Sequence, residues 1–539
     1  MQKKLTILMA QINPTVGAIE KNAEKIINII CDNQKTHDVI IFPELTLTGY
    51  PPEDLLFRQE LFDRVERQLK AIASMTEECH VIVGHPRLEN NQCYNMASVI
   101  FKGECLASYQ KQHLPNYGVF DEARYFTKGP AIPCLFSING YRAGLCICED
   151  IWQEGPVEQL LDAGVEIMFC MNASPFDENK YEERESLLHK HAQRGLTIVY
   201  VNQVGGQDSL VFDGQSLVMN PAGTLCARAP AFVTHLQTVA IHDAQIDGHI
   251  TPLLKREALI YEALVCGLRD YVEKNDFPGV LLGLSGGIDS ALTLAIAVDA
   301  LGANRVHAVM LPSRYTVNMS SEDALEQVKR LNVQHSTLPI EPTFKTLLTT
   351  LEPAFLNKKA DTTEENLQAR IRGVLLMALS NKTGYMLITT SNKSETAVGY
   401  ATLYGDMCGG FAVLKDVLKT TVYALARFRN SISPNIPERV IERPPSAELA
   451  PNQTDQDSLP DYAALDAIIH LHMNERLSSN EIIARGFNPD EVLHIVKLIK
   501  RNEYKRRQAA PGVKITSCAF DGDWRYPIVS GFDVIKHNN

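Results

Sequence analysis

The sequence predicts an α/β protein with two domains, and three observations carry that prediction. The chain has 539 residues, too many for one ordinary hydrophobic core. Its first half repeats short, wholly apolar or β-branched runs that end on a polar residue, with helix-like stretches between some of them. Its second half contains "FPGVLLGLSGGIDSALTLAIAVDALG", which reads as a buried strand, a Gly-rich turn and a long helix in direct succession.

The elements follow in order along the chain. "MQKKLTILMAQINP" opens with an apolar segment of about six residues that runs into Gln11, Asn13 and Pro14, whereas a secretory core needs about 7–15. It reads as a first strand. "EKNAEKIINIICDNQ" reads as a helix, and "DVIIFPEL" as a strand ending at Glu44. "AGLCICED" passes through Cys148, "EIMFCMNASPF" ends near Ser174, and "TIVYVNQVG" ends near Asn202. "EERESLLHKHAQRG" between the last two is helix-like. Strands that deliver polar residues at their ends build a site on a rigid scaffold.

After residue 240 the texture changes. "AQIDGHITPLLKREALIYEALVCGLRDYVEKN" reads as a linker followed by an amphipathic helix. "RVHAVMLPS" and "YMLITTSNKSE" add two strands, with helices between, which makes a parallel sheet. Pro-rich "ERPPSAELAPNQTDQDSLP" reads as an exposed loop, and the C-terminal part as mostly helical before the basic "EYKRRQAAPGVKIT". The expected division is a domain over 1–245, a linker and connecting helix over 246–265, and a second domain over 266–539.

Composition narrows the function. A net charge of −12 argues against nucleic-acid binding and against an anionic membrane surface, while leaving room for a locally basic site for a small anion. There is no run of about 18 apolar residues, so no membrane-spanning helix is expected. The 12 cysteines are scattered without a C-x-x-C, which fits free thiols in the cytoplasm.

"GLSGGIDS", Gly283 to Ser290, follows a strand and opens a helix. That geometry aims backbone N–H groups and a helix N-terminus at one point, which suits a phosphate. Gly286 and Gly287 let the backbone approach closely, and Ser285 and Ser290 add hydroxyls. The turn is neither a Walker loop nor G-x-G-x-x-G. S-G-G-x-D-S after a buried strand resembles the pyrophosphate loop of the N-type ATP pyrophosphatases. These enzymes split ATP to AMP and pyrophosphate and place AMP on an acceptor oxygen. "EENLQARIRG" (364–373), "ITTSNKSE" (388–395), "YGDMCGGFAVLKDVLKT" (404–420), "PSAELAPNQTDQDSLP" (445–460) and "KRRQAAPG" (505–512) together resemble the NAD synthetase family across nearly all of 255–530.

The resemblance implies roles. Gly283, Leu284, Ser285, Gly286, Gly287, Ile288, Asp289, Ser290 and Thr390 would hold ATP. Asn366, Glu395 and Lys505 would contact deamido-NAD, and Asp289 and Glu395 would share a Mg²⁺. The deamido-NAD carboxylate would attack the ATP α-phosphorus, and ammonia would displace AMP from the adenylate. Taken alone, Glu395 reads as a helix-start acid, Asn366 as a surface polar group and Lys505 as part of a solvated basic face.

Amidation needs ammonia, and the first half contains an amidase set. Releasing ammonia from a primary amide takes a nucleophile, a proton shuttle and a stabiliser for the tetrahedral oxyanion. "FPEL" offers Glu44 as base, "QKQHLPNYGVFDEARYF" offers Lys111 as positive charge, and "CICEDIW" offers Cys148 as nucleophile. This set resembles the Glu-Lys-Cys triad of the nitrilase superfamily, whose fold is an αββα sandwich. "LTGYPPEDLL" and "LPNYGVFDE" make residues 3–240 similar to the glutaminase domain of glutamine-dependent NAD synthetases. By that likeness Tyr117, Ser174 and Lys180 hold glutamine. The second domain is then expected to be a Rossmann-like parallel α/β synthetase, supplied through an internal ammonia passage. A cytoplasmic homo-oligomer is expected, taking deamido-NAD, ATP and L-glutamine, with no nucleic acid or membrane partner.

Two sulfurs compete for the nucleophile's role. On one continuous strand Cys146 and Cys148 would face the same side. Cys146 lies inside the apolar run and reads as core, and Cys148 meets the acids at its end. C-x-C without a second ligand pair makes a poor zinc site, and His189 and His191 read as helix-surface residues. Glu149 and Asp150 are expected to shape the turn. Two other readings remain at this point: the ATP loop could serve another acceptor, such as a nucleotide or tRNA, or the first half could be a non-catalytic scaffold.

Overall fold

The computed structural model describes residues 3–532 apart from 244, 357, 447 and 451–458. The expected Pro-rich loop therefore lies partly outside the described residues. The chain divides into two units, Met1–Lys255 and Arg256–Asn539.

The strands of the first unit are Lys4–Gln11 (β1), Val39–Ile41 (β2), His80–Glu89 (β3), Gln92–Phe101 (β4), Glu104–Gln110 (β5), Leu135–Ile138 (β6), Tyr141–Ile147 (β7), Ile167–Asn172 (β8), Thr197–Asn202 (β9), Val204–Gln207 (β10), Leu210–Asp213 (β11), Leu217–Met219 (β12), Leu225–Arg228 (β13), His235–His242 (β14) and Gln245–Asp247 (β15). One sheet runs β15-β14-β1-β2-β3-β4-β5 and a second β13-β12-β9-β8-β7-β6. β1, β2 and β3 are mutually parallel, as are β7, β8 and β9. Parallel neighbours need a crossover, and helices Ile19–Asn33, Gln59–Ser74, Pro156–Asp162 and Lys180–Ala192 supply the four.

Side-chain alternation turns these strands into layers. On β1, Leu5, Ile7 and Met9 join Val39, Ile41, Phe169, Met171 and Val199 in one core shared by both sheets. Leu8 and Ala10 point the other way, onto Ile19, Ile26, Val65 and Ile72 of the first two helices. In the second sheet Met168, Cys170, Ile198 and Tyr200 pack on Leu160, Leu188 and Ala192 of the other two. The order helix, sheet, sheet, helix is the expected αββα sandwich.

The second unit holds Val280–Gly283 (β16), Val306–Met310 (β17), Gln334–Thr337 (β18), Met386–Thr389 (β19) and Phe411–Ala412 (β20) in the order β18-β17-β16-β19-β20, every pair parallel. The chain leaves β16 first toward β17 and β18, then returns to build β19 and β20 on the other side. In such a sheet the crevice for ligands opens at the strand C-termini where the direction reverses, here beside β16. Helix Ile288–Leu301 follows β16 and is buried nearly all round, which explains its continuous apolar sequence. A separate helical core, built on Leu465, Ile468, Val492 and Ile495, closes the unit. Among the described residues no helix is long and apolar enough to cross a membrane.

Candidate active sites, one in each unit

In the first unit three of the expected residues lie just beyond strand ends. β2 ends at Ile41 and delivers Glu44. β5 ends at Gln110 and delivers Lys111. β7 ends at Ile147 and delivers Cys148. Gly84 of β3 lets the Glu44 turn approach, since a Cβ there would stand 2.5 Å from Leu45 N. Lys111 Nζ lies 2.7 Å from Glu44 Oε1, with neither side chain exposed. It also donates to both oxygens of Glu122, at 2.8 and 2.9 Å. Glu44 accepts from Asn95 Nδ2 at 2.8 Å and from Ala173 N at 3.0 Å. Tyr50 OH donates to Glu122 at 2.8 Å. Burial raises the Glu122 carboxyl to about 7 against the pull of Lys111.

Cys146 and Cys148 do not share a face, because the strand ends between them. Cys148 begins a 3-10 turn, Cys148–Ile151, with φ +44, a conformation non-glycine residues seldom hold unless their surroundings impose it. Cys146 packs on the helix side of the sheet, and Cys148 reaches the space between the sheets. Asp150 fixes the turn: its carboxylate accepts from Ile147 N at 3.1 Å, Gln112 N at 3.1 Å, His113 N at 2.9 Å and Tyr109 OH at 2.9 Å. It therefore binds the Cys148 turn to the segment that carries Lys111. Burial pushes the Cys148 thiol well above its ordinary value; Glu44 adds to this and Lys111 opposes it.

The three expected glutamine residues surround this point unevenly. Tyr117 OH donates to Glu149 at 3.0 Å, beside Cys148. Ser174 is buried, and its Oγ accepts from Arg184 Nη2 at 3.3 Å. Arg184 is fully buried and forks onto Asp213 at 3.1 and 3.2 Å. Lys180 lies 4.2 Å over the Trp152 ring and pairs with Glu183 at 3.2 Å. His189 and His191 bond the carbonyls of Gly223 and Ile151.

In the second unit the Gly-rich turn sits at the mouth of a cavity of 290 Å³. Gly286 has φ +83, and a Cβ there would fall 2.2 Å from Ser320 O, so only glycine fits. Ser285 Oγ and Ser290 Oγ lie 3.1 Å apart and bond the turn's own backbone. Thr390 and Glu395 line the same cavity. Glu395 opens helix Lys393–Val398, whose Asn392 cap donates to Asp289 Oδ1 at 2.8 Å. The two acids expected to share a metal have a buried ammonium between them: Lys419 Nζ is 2.5 Å from Asp289 Oδ2 and 3.1 Å from Glu395 Oε1. Among the described residues no group of three or more His, Cys, Asp or Glu could hold a metal alone. Asn366 and Lys505 stand next door rather than on the cavity wall. Thr402 Oγ1 donates to Asn366 at 2.8 Å, and Lys505 Nζ donates to Gly399 O and Ala401 O at 2.8 and 2.9 Å. Both hold the loop over 399–410, and Asp406 within it does line the cavity.

Asp150 shapes the turn as expected, whereas sequence reading missed Glu122, Arg184 with Asp213, Asn392 and Lys419. Glu122 and Lys419 both stand in stretches whose motif was plain, "FDEARYF" and "VLKDVLKT". Their charge alone gave no reason to single them out.

The comparisons agree with this division. The carbon-nitrogen hydrolase family model matches residues 6–248 and the NAD synthase model residues 260–509. A glutamine-dependent NAD(+) synthetase of Xanthomonas campestris is 47% identical over 541 residues, 98% of either chain, and one of Acinetobacter baylyi 48% identical over 98% of this chain and 99% of its own. The structure of such a synthetase from Acinetobacter baumannii in complex with ADP matches with a TM-score of 0.81 at 47% identity, covering 99% of this chain and all of that one. Identity this high along the full length, with one family model on each half, makes the chain a member of the glutamine-dependent NAD(+) synthetases, carbon–nitrogen ligases that amidate deamido-NAD with nitrogen hydrolysed from glutamine.

Proposed function

We propose that Cys148, Glu44 and Lys111 hydrolyse glutamine in a domain spanning 1–245, and that the loop Gly283–Ser290 with Thr390, Asn366, Glu395 and Lys505 activates deamido-NAD in a domain spanning 266–539, with 246–265 as the connector. The observation that carries the first half is the fully buried contact of 2.7 Å between Lys111 and Glu44, set beside a cysteine in strained backbone. A buried ion pair is weak evidence for stability, and strain of this kind collects at reactive sites.

The chemistry follows from the protonation states. Cys148 enters as a thiol. Its proton moves to Glu44 as sulfur bonds the glutamine amide carbon, and the Lys111 ammonium faces the negative oxygen that forms. Glu44 returns the proton to the leaving nitrogen, the C–N bond breaks, and ammonia departs. Water, deprotonated by Glu44, then cleaves the thioester to glutamate, and the sulfur regains its proton. Tyr117, Ser174 and Lys180 orient the amino-acid end of glutamine.

In the second domain the turn's N–H groups and the Ser285 and Ser290 hydroxyls cradle the phosphates of ATP. The deamido-NAD carboxylate attacks the α-phosphorus, pyrophosphate leaves, and ammonia displaces AMP. Asp289 and Glu395 fit a magnesium ion, which takes one or two carboxylates together with substrate phosphates. Bound there, it would neutralise phosphate charge. Lys419 bridges the two acids and offsets their mutual repulsion, holding them on the cavity wall. The chain acts in the cytoplasm as a homo-oligomer.

The test is Cys148→Ala. It abolishes NAD formation from glutamine and leaves formation from ammonium salts largely intact, whereas Asp289→Ala depresses both. Undiminished glutamine-driven synthesis by Cys148→Ala would sink the assignment of the nucleophile.

A further inference from the structure

Three cations line the cavity of the second unit: Arg372, Lys419 and Arg443. Two are engaged by the protein. Lys419 bridges Asp289 and Glu395, and Arg443 donates to Ser320 Oγ at 2.9 Å and Gly286 O at 3.1 Å, bracing the Gly-rich turn. Arg372 differs. Its Nε donates to Leu311 O at 3.1 Å, at the C-terminal end of β17, and its two terminal NH₂ groups make no hydrogen bond or ion pair with any described residue.

The position of Arg372 matters as much as its freedom. Anchoring at Leu311 puts its helix, Thr362–Thr383, over the ends of β16 and β17, and Leu376 of that helix packs near Gly283. On its other flank are Asp406 and Glu448, whose charges reach it without forming a pair. Asp406 lies within the loop that Asn366 and Lys505 hold. Arg372 thus stands between the Gly-rich turn and that loop. Burial lowers its pKa from the usual arginine value against the pull of Asp406 and Glu448, so a cation is kept in a partly dehydrated place with no ion-pair partner among the described residues. Holding an arginine that way costs free energy unless an anion completes it.

We infer that Arg372 is a substrate-binding residue of the synthetase reaction, presenting its planar fork to an oxyanion where the two substrates meet. The reaction joins a carboxylate to a phosphate, so two anions must be brought within bonding distance. A fork with two free NH₂ groups fits either oxyanion bidentately and lessens their repulsion. The inference rests on the reading that this cavity holds ATP and deamido-NAD, and it adds a residue to which no role has been given above.

Two substitutions separate a charge role from mere support of Leu311. Arg372→Lys keeps the charge and gives up the fork. Arg372→Gln keeps an amide donor for Leu311 and removes the charge. The assay is NAD formation from deamido-NAD, ATP and ammonium chloride, with each substrate varied in turn. Arg372→Gln is expected to lower kcat/KM by roughly 100-fold to 1000-fold and Arg372→Lys by about tenfold to 100-fold. A KM rise confined to ATP assigns the phosphate; one confined to deamido-NAD assigns the carboxylate; a fall in kcat alone assigns the oxyanion of the transition state. Arg372→Gln at or above the activity of Arg372→Lys, or both within threefold of the unsubstituted protein, overturns the inference. Urea unfolding followed at Trp524 checks that both variants fold. Asp289→Ala runs alongside: if it keeps full activity, the reading of the cavity fails, whatever Arg372 does.

Discussion

Replacing Lys111 by Met tests directly the electrostatics of the buried cluster proposed as the glutaminase site. The substitution removes one ammonium from contact with three carboxylate oxygens at 2.7, 2.8 and 2.9 Å, with side-chain exposures of 0% for Lys111 and Glu44 and 5% for Glu122. Breaking a buried pair by removing one partner typically costs about 3–5 kcal/mol, because the other charge is left uncompensated. The carboxylates keep some help: Glu44 retains Asn95 and Ala173, and Glu122 retains Tyr50. We therefore expect a loss near the lower end, about 3 kcal/mol, at pH 8. At pH 6 it should shrink by roughly 1–2 kcal/mol, because Glu122, already titrating at about 7 beside the lysine, then takes up a proton more readily. Urea unfolding reads this out through Trp152, since the chain has only two tryptophans and the other can be removed by Trp524→Phe. At a slope of about 3 kcal/mol per molar, the pH 8 midpoint falls by roughly 1 M. Lys3→Met is the control. Lys3 pairs with Glu166 at 2.7 Å, but the two side chains are 36% and 45% exposed, so its loss stays under about 1 kcal/mol. A loss below about 1 kcal/mol at pH 8, or an equal loss at both pH values, would refute the reasoning.

Two further outcomes follow. A carboxyl raised to about 7 by burial favours the folded state most below its unfolded value of 4.5, and this contribution is lost as pH rises through 7; Glu122→Gln should therefore flatten the fall in stability between about pH 5 and 8, seen as a nearly constant urea midpoint for Trp152. Gly286→Ala should cut NAD formation from glutamine and from ammonium alike, at least 100-fold, because its Cβ would meet Ser320 O at 2.2 Å in a φ +83 backbone; glutamate release from glutamine, measured separately, should persist.

The two-unit α/β organisation was legible in the sequence because local rules govern it. Short apolar runs such as "IMFCM", β-sized and closed by a polar residue, fit strands buried on both faces, and the Gly-Gly of the turn announces the close backbone approach that Gly286 makes. The proposed triad was legible because each member follows a strand. Glu122 was not, since an acid eleven residues from Lys111 carries no local mark of being folded back onto it. Nor was the difference between Cys146 and Cys148 open to alternation alone, because the strand's end at Ile147 depends on the Asp150 carboxylate meeting Tyr109, Gln112 and His113 from elsewhere in the chain.

By itself, then, the sequence determined which elements form and which residues stand at their ends, since periodicity, turn chemistry and charge are properties of neighbours along the chain. Tertiary structure alone decided which charges are left to share a buried space. Lys111 became common to two glutamates, Lys419 to Asp289 and Glu395, and Arg372 kept its fork clear of every described residue. The physical reason is that a charge's behaviour is set by its distance to others and by the water it has lost. Both quantities come into being only when distant segments pack.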